Sequence, residues 1–348
     1  DKDGGVPGIE EVKFSVTHCR GCFGACNFCS IAFHQGRVVT ARSEDSVIGE
    51  VEKLTKLPGF KGYIHDIGGP TANFRHAACE KQKKLGACPD RKCLFPKPCP
   101  NLNADHSEYV HLLERASAVQ GVKRVFIRSG IRFDYMLADR KNDFFKRLVS
   151  EHTSGQLKVA PEHCSDNVLK YMGKPSVSVY KKFSDEFYRL SAACGKEQYL
   201  VPYLMSSHPG ATLDDAIELA LFLKHNGQRP EQVQDFYPTP GTASTCMYHT
   251  GIDPFTGKSV FVEKTYTGKK LQRALLQYYK KENQPLIRDA LMKCGRSDLI
   301  GNGNDCLVPP AFVPHGKKPV GNDRYAARKN TVSKGGKRPD SKKNNRRG

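Results

Sequence analysis

Gly21-Cys22-Phe23-Gly24-Ala25-Cys26-Asn27-Phe28-Cys29-Ser30 is the stretch from which the rest of the chain can be read. Its cysteines are spaced C-x3-C-x2-C, and its glycines let a short loop coil tightly enough to turn three thiolates toward one centre. Iron–sulfur clusters take thiolate ligands, commonly four. Three local ligands leave one iron without a protein ligand, free to bind a small molecule. The competing reading is a zinc knuckle or a set of inert thiols, because zinc takes four ligands and His18 and Cys19 stand just upstream. Cys19 lies outside the spacing and is not expected to be a cluster ligand.

Phe14-Ser15-Val16-Thr17 reads as a strand running into this loop. From Ser43 a helix is expected, with Val47, Ile48, Val51 and Leu54 on one face. Further strands are expected over 62–67, 124–128, 157–160, 199–204 and 233–237. Helical patterns separate them, carried by Val110, Leu113, Ala116 and Val119, by Phe144, Phe145, Leu148 and Val149, and by residues 179–193. Thr212 caps another helix, with Asp215 as its capping-box partner. Six strands alternating with helices make repeated βα units and hence a parallel sheet of α/β class. Right-handed crossovers curl such a sheet into a full or partial barrel whose chemistry sits at the carboxyl ends of the strands. The cysteine loop, Gly68-Gly69-Pro70, Ser129-Gly130, Pro161-Glu162-His163 and His208-Pro209-Gly210 each follow a strand directly.

At this point the chain resembles a family. A C-x3-C-x2-C loop after the first strand of an α/β barrel is similar to that of the radical S-adenosylmethionine (SAM) superfamily. The resemblance implies a partial (β/α)6, TIM-like barrel with a [4Fe–4S] cluster on Cys22, Cys26 and Cys29. The open iron would chelate the amino and carboxylate groups of SAM, and one electron would cleave SAM to a 5′-deoxyadenosyl radical that attacks the substrate. Phe28 matches the family's aromatic position beside the adenine. Gly68-Gly69-Pro70 stands where a Gly-Gly-Glu-like motif meets the SAM amino group, and Pro70 in place of Glu leaves only the backbone contact. A narrower resemblance, to the YgiQ-type radical SAM proteins of bacteria, covers residues 12 to 310. It rests on Arg20-Gly21-Cys22-Phe23-Gly24, residues 66–73, Ala160-Pro161-Glu162-His163, residues 195–200, His208-Pro209-Gly210, residues 232–238 and residues 305–309. Proteins of that group usually carry a large N-terminal region, and this chain starts at Asp1, so it is expected to be a piece of a longer protein.

The barrel is assigned to residues 1–240, with a cysteine-rich insertion at 71–104. A C-terminal helical extension is assigned to 241–315, with helices over 269–280 and 285–294 and Pro285 in a first turn. The insertion carries Cys79, Cys88, Cys93 and Cys99, spaced C-x8-C-x4-C-x5-C in a stretch rich in Lys and Pro. Four thiols there suggest a second metal that replaces a missing core, zinc or an auxiliary iron–sulfur cluster, against separate reduced thiols. Around the first site, Glu162 could hold the SAM ribose or amino group. Arg128 and Arg132, flanking Ser129, could pair with the SAM carboxylate or an anionic substrate. Each has a plainer alternative, a helix cap for Glu162 and a surface ion pair for either arginine. His163 and His208 are expected to serve structure, and Tyr203 and Tyr237 to be core. Cys164, Cys194, Cys246, Cys294 and Cys306 are expected to be free thiols.

Composition sets the outer limits. Thirteen cysteines, an odd and clustered set with no apolar leader, point to metal and not to disulfides. No apolar run is long enough to span a membrane, and a soluble, cytoplasmic protein is expected. There is no P-loop and no Rossmann glycine fingerprint. The net charge is +19, and residues 316–348 carry twelve Lys and Arg against Asp323 and Asp340. That tail is expected to be a disordered, solvated end, or else a docking arm for nucleic acid. The leading expectation is therefore a radical SAM enzyme served by a reductant such as flavodoxin or ferredoxin. The alternatives are an RNA-modifying enzyme that uses the tail, and a non-catalytic iron–sulfur scaffold or redox sensor.

Overall fold

The structure, a computed structural model, describes residues 4–231 and 233–311. The basic tail, and with it the choice between a solvated end and a docking arm for nucleic acid, therefore lies outside the described residues, as does Gln232. Nine short strands are present among the described residues: β1 (Ser15–Thr17), β2 (Cys19–Arg20), β3 (Thr40–Ala41), β4 (Tyr63–Ile64), β5 (Asp66–Gly68), β6 (Arg124–Val125), β7 (Gln156–Glu162), β8 (Tyr199–Ser206) and β9 (Gln234–Asp235). The six expected strand positions pair in chain order, and each pairing between them is parallel. β1 lies beside β5 with Val16 opposite Ile67, and β4 lies beside β6 with Ile64 opposite Val125. β7, β8 and β9 form a three-stranded parallel sheet. An isolated parallel bridge between Ile131 and Val159 links the third position to the fourth, helped by the Ile127 N–H donating to His152 O at 3.0 Å. Among the described residues no pairing joins β1 to β9, so the sheet is not closed. The class is mixed α/β.

The segment over 62–67 serves two neighbours at once. His65 interrupts it, giving its N–H to Phe14 O at 2.8 Å, so β4 faces β6 and β5 faces β1. The third strand is shorter than its apolar run suggests. It ends at Val125, because Arg128 N–H turns to Asp66 Oδ1 at 2.8 Å instead of continuing the ladder. β2 and β3 were not expected. They pair antiparallel, Cys19 with Ala41 and Arg20 with Thr40, and clamp the two ends of the cysteine loop.

The expected helices form where apolar spacing and caps coincide. Ser43 accepts from the Ser46 N–H to open Glu44–Thr55, which buries Val47 and Val51. Ser107–Ser117 buries Tyr109, Val110, Leu112, Leu113 and Ala116, and Val177–Ala193 buries Tyr180, Phe183, Phe187 and Leu190 at helical spacing. These faces close on Val16, Ile64, Ile67, Val125, Leu157 and Val159 in the main core. Each such side chain contributes about 1.5–3 kcal/mol by leaving water. The helix from Phe144 is interrupted, with Asp143–Arg147 passing into a π turn over Leu148–His152. Thr212 and Asp215 make both halves of the expected capping box at the start of Leu213–His225.

The C-terminal helices start slightly earlier than their sequence signals, at Tyr266–Leu276 and Gln284–Lys293. Leu271, Leu275, Ile287 and Leu291 pack against Ala216, Ile217 and Ala220 of Leu213–His225. The extension is thus built onto the α/β part, and the chain through Pro310 is one compact unit.

Candidate metal centre

The cysteine loop owes its shape to three small residues. Gly21 has φ +86°, and a Cβ there would run into the carbonyl oxygen of Val38. A Cβ on Gly24 would lie 2.5 Å from Arg132 Nη1, and Ala25 takes φ +47°. The Cys22 N–H donates to Gly36 O at 3.0 Å, and the Cys29 N–H to Cys26 O at 3.2 Å. Cys22, Cys26 and Cys29 are half-buried free thiols. Cys22 Sγ lies 3.6 Å from Thr71 Oγ1. Burial pushes the Cys29 thiol up to about 11. A metal would reverse this, since it binds the thiolate.

Arg132 brings a buried positive charge to the cysteine loop. Its Nη1 donates to Cys26 Sγ at 3.1 Å, while Nε and Nη2 fork onto the buried Asp134 carboxylate at 2.7 and 2.6 Å. Burial opposes the charge, but Asp134 and the Cys26 and Cys22 sulfurs outweigh it and raise the guanidinium pKa further. Asn73 fixes the backbone of Arg132 from both sides, accepting from its N–H at 2.9 Å and donating to its carbonyl at 3.2 Å. A fixed cation hydrogen-bonded to one of three neighbouring cysteine sulfurs lowers the cost of gathering thiolates, so these residues would fit an anionic iron–sulfur cluster.

Glu162 ends β7 at φ +69°, buried, with Lys174 Nζ 4.0 Å away. Burial raises its pKa against the pull of Lys174 and Arg132, and its charge reaches Cys29. Gly68 admits no side chain, because a Cβ would collide with Ser129 Oγ and Asp66 Oδ2. Ser129 Oγ donates to that Asp66 oxygen, and the Ser129 N–H to Asp66 Oδ1 at 3.1 Å. A Cβ on Gly69 would lie 2.5 Å from Cys19 Sγ, and Pro70 follows in the same turn. Phe28 packs against the buried patch of Val168, Met172, Met205 and Phe236, 6.1 Å from the His208 ring.

Other candidates are placed elsewhere. Arg128 makes an exposed pair with Glu11 at 3.2 Å, the surface role foreseen as its alternative. Tyr203 and Tyr237 are exposed and not core: Tyr203 stands on the outward face of β8, and Tyr237 lies beyond the end of β9. Cys19 is buried, with its thiol pushed up to about 12 by burial. His163 and His208 are buried and held neutral, at about 4 and about 3, by burial. His208 Nε2 shares a 2.7 Å hydrogen bond with Ser244 Oγ, and the Ser244 N–H donates to Asn27 O at 2.9 Å. That chain ties the helix Ala243–Thr250 to the cysteine loop. Asp66, Asn73 and Asp134 were not singled out from sequence. Asp66 and Asn73 stand inside a family-matching stretch, which was the available signal, while Asp134 had none beyond its closeness to Arg132.

Cys26 and Cys29 open on a cleft of about 1020 Å³, whose other walls include Lys92, Phe95, Tyr171 and Phe255. Lys92 Nζ donates to Asn27 Oδ1 in the loop, and burial lowers its pKa to about 8. Cys79, Cys88, Cys93 and Cys99 line a second, small cavity. Among the described residues no three Cys, His, Asp or Glu side chains converge as the ligands of a single ion would. The thiolates of a cluster sit on separate irons and stand further apart than that. No helix of the described residues is long and apolar enough to cross a membrane.

A family model described as a domain of unknown function (DUF3362) matches residues 231–347. A UPF0313 protein of Clostridium perfringens is 58% identical over 308 residues, covering 88% of this chain and 46% of that relative. A UPF0313 protein of Clostridium botulinum is 56% identical over 309 residues, covering 89% and 48%. The chain thus spans about half the length of the curated relatives it matches. Among solved structures, it is similar to the radical SAM methyltransferase TsrM from Kitasatospora setae with tryptophan and a SAM analogue bound. That match has a TM-score of 0.42 and 13% identity, over 67% of this chain and 39% of that one. TsrM with cobalamin and a [4Fe–4S] cluster bound matches with a TM-score of 0.40 at the same 13% identity, over 67% and 40%. By its identity to these relatives across nearly nine-tenths of its length, the chain belongs to the UPF0313 proteins, the YgiQ-type family whose motifs it carries.

Proposed function

We propose that this chain is the core of a radical SAM enzyme, with Cys22, Cys26 and Cys29 holding a [4Fe–4S] cluster and the fourth iron left to SAM. The observation that carries the reading is the loop itself. Three half-buried thiols follow the first parallel strand, a buried guanidinium donates to one of them, and two of them open on a cleft of about 1020 Å³. That volume is at the upper end of ordinary ligand sites, and the cleft's described lining does not include Phe28, Gly68, Gly69, Pro70 or Glu162.

When bound, the cluster supplies one electron that cleaves SAM to methionine and a 5′-deoxyadenosyl radical, which takes hydrogen from the substrate. The chain's own residues position and shield. Arg132 offsets the charge of the thiolates. The backbone of Gly68-Gly69-Pro70 would meet the SAM amino group, with the turn held by Asp66 of the same strand bonded to Ser129 of the next strand position. Glu162 offers a carboxylate to the ribose or amino group, and Phe28 offers a ring to the adenine. Arg128 pairs with Glu11 at the surface, 3.2 Å away, and is assigned no contact to SAM in this reading. The consecutive parallel order of the strands supports a partial (β/α)6 barrel as the frame. A flavodoxin or ferredoxin supplies the electron, and the setting is the cytoplasm.

The test is electron paramagnetic resonance of the protein purified without oxygen, reconstituted with iron and sulfide, and reduced. A cluster signal that SAM perturbs is expected, lost in Cys22→Ala/Cys26→Ala/Cys29→Ala, with 5′-deoxyadenosine formed on turnover. A signal indifferent to SAM, or one surviving in the triple variant, overturns the reading in favour of a non-catalytic scaffold or sensor.

A further inference from the structure

The insertion at 71–104 has little regular structure beyond the helix Glu80–Leu85. Its ends are nevertheless brought together. The Asn103 N–H donates to Ala78 O at 2.8 Å, the Leu102 N–H to Cys99 O at 2.9 Å, and the Cys99 N–H to Cys93 O at 2.9 Å. Phe74 and Leu94 are buried beside Phe23 and Tyr135, a small apolar cluster shared with the cysteine loop. Within this frame Cys79, Cys88, Cys93 and Cys99 all line one cavity of about 30 Å³, with Ala78 and Leu102 as its apolar lining. Cys79 Sγ accepts from the Gln82 N–H at 3.4 Å, and Gln82 Nε2 lies 4.0 Å from Cys93 Sγ.

We propose that these four cysteines hold a second metal centre, bound by four thiolates, and that it fixes one wall of the cleft beside Cys26 and Cys29. The centre is a zinc ion or an iron–sulfur cluster, since both take a four-thiolate set. The proposal does not depend on the radical SAM reading, because it uses none of the first three thiols. The four sulfurs surround the cavity without converging on a point, so binding draws them inward. A segment with little packing of its own yields to that pull more readily than a strand or helix does.

The second half of the proposal follows from where Pro89, Asp90, Arg91 and Lys92 lie. They join the second thiol to the third, and all four line the large cleft, while Arg91 and Lys92 line the small cavity as well. Arg37 holds this connection from the other side, donating to Cys88 O at 2.9 Å and to Arg91 O at 2.7 Å. Lys92 reaches across to Asn27 Oδ1, between Cys26 and Cys29 in the first loop. A metal that fastens Cys88 and Cys93 thereby fixes the height of this wall over the first site. It acts as a positioning element and touches no reacting atom.

The experiment uses the full chain carrying Cys22→Ala/Cys26→Ala/Cys29→Ala, purified without oxygen, with the unaltered chain alongside. Zinc, iron and acid-labile sulfide are measured per chain, and free thiols are counted with a maleimide. One equivalent of zinc identifies an ion, and iron with matching sulfide identifies a cluster. Either supports the proposal if Cys93→Ser/Cys99→Ser then removes the metal. A folded, metal-free chain with all its remaining thiols free overturns it, as does metal that survives the double substitution. Should the double variant not fold, a chelator on the Cys22→Ala/Cys26→Ala/Cys29→Ala chain gives the second readout. Metal release is expected to speed tryptic cleavage at Arg91 and Lys92 by about tenfold or more, through local opening. An unchanged cleavage rate after metal release overturns the wall assignment.

Discussion

Arg132 shows how much a single side chain can be asked to do. It spans from the Cys26 sulfur to a buried carboxylate, and its backbone is pinned by Asn73. Its role in the fold and the role proposed for it at the cluster can be separated. Arg132→Met leaves Asp134 charged and buried without a partner, which costs about 3–5 kcal/mol in a urea titration of the iron-free chain. Adding Asp134→Asn removes that stranded charge and should restore most of the loss. It does nothing for Cys26, so iron retained after reconstitution should stay below that of the unaltered chain. If the double variant holds iron as well as the unaltered chain does, Arg132 serves the fold alone. Arg132→Lys would not substitute, since an ammonium cannot fork onto Asp134 while reaching Cys26.

At the scale of elements, caps and apolar spacing did most of the predicting, and the helix Leu213–His225 allows that to be measured. Thr212 Oγ1 accepts from the Asp215 N–H at 3.2 Å, and Asp215 Oδ2 accepts from the Thr212 N–H at 2.9 Å. Asp215 Oδ1 also accepts from Ser165 Oγ at 2.6 Å, a buried link to the turn after β7. Thr212→Ala should therefore cost about 1 kcal/mol, the ordinary worth of a cap. Asp215→Ala should cost about 2–3 kcal/mol, because it also strands the Ser165 hydroxyl. Equal losses in chemical denaturation would mean that the Ser165 link contributes nothing. Local signals of this kind made the helices over 44–55, 177–193 and 213–225 legible in the sequence. The clamp of β2 and β3 was not legible, because two-residue strands show no alternation and are decided by long-range pairing. For the same reason the third strand ended early, when Asp66 captured the backbone at Arg128 and Ser129. In the site, spacing alone marked Cys22, Cys26 and Cys29. Lys92 is far away in sequence, and only the folded insertion brings it to Asn27.

At the scale of the whole molecule, the cleft draws chiefly on the cysteine loop, the connection between Cys88 and Cys93, and the segment from Gly241 to Thr256, with Lys170 and Tyr171 beside them. The compact unit that carries all three closes at Pro310, where Arg288 Nη1 donates to Pro309 O at 2.8 Å and Val308 bridges Ile300. Charge is distributed differently from packing. Residues 316–348 hold twelve of the 55 Lys and Arg and only two of the 36 Asp and Glu, so more than half of the net +19 belongs to less than a tenth of the chain. Stability and polyanion binding should therefore separate on truncation. A chain ending at Pro310 should keep its urea midpoint and its reconstituted iron. Its affinity for single-stranded RNA should weaken, and the slope of log K against log salt should flatten by about 0.7 for each phosphate that the tail had neutralised. Binding by fluorescence anisotropy across a salt series reads both quantities. A slope unchanged by the truncation would make the tail a solvated end and would remove the basis for an RNA substrate docked through it. A flattened slope with iron and midpoint intact would assign polyanion binding to the tail and the chemistry to the unit before it.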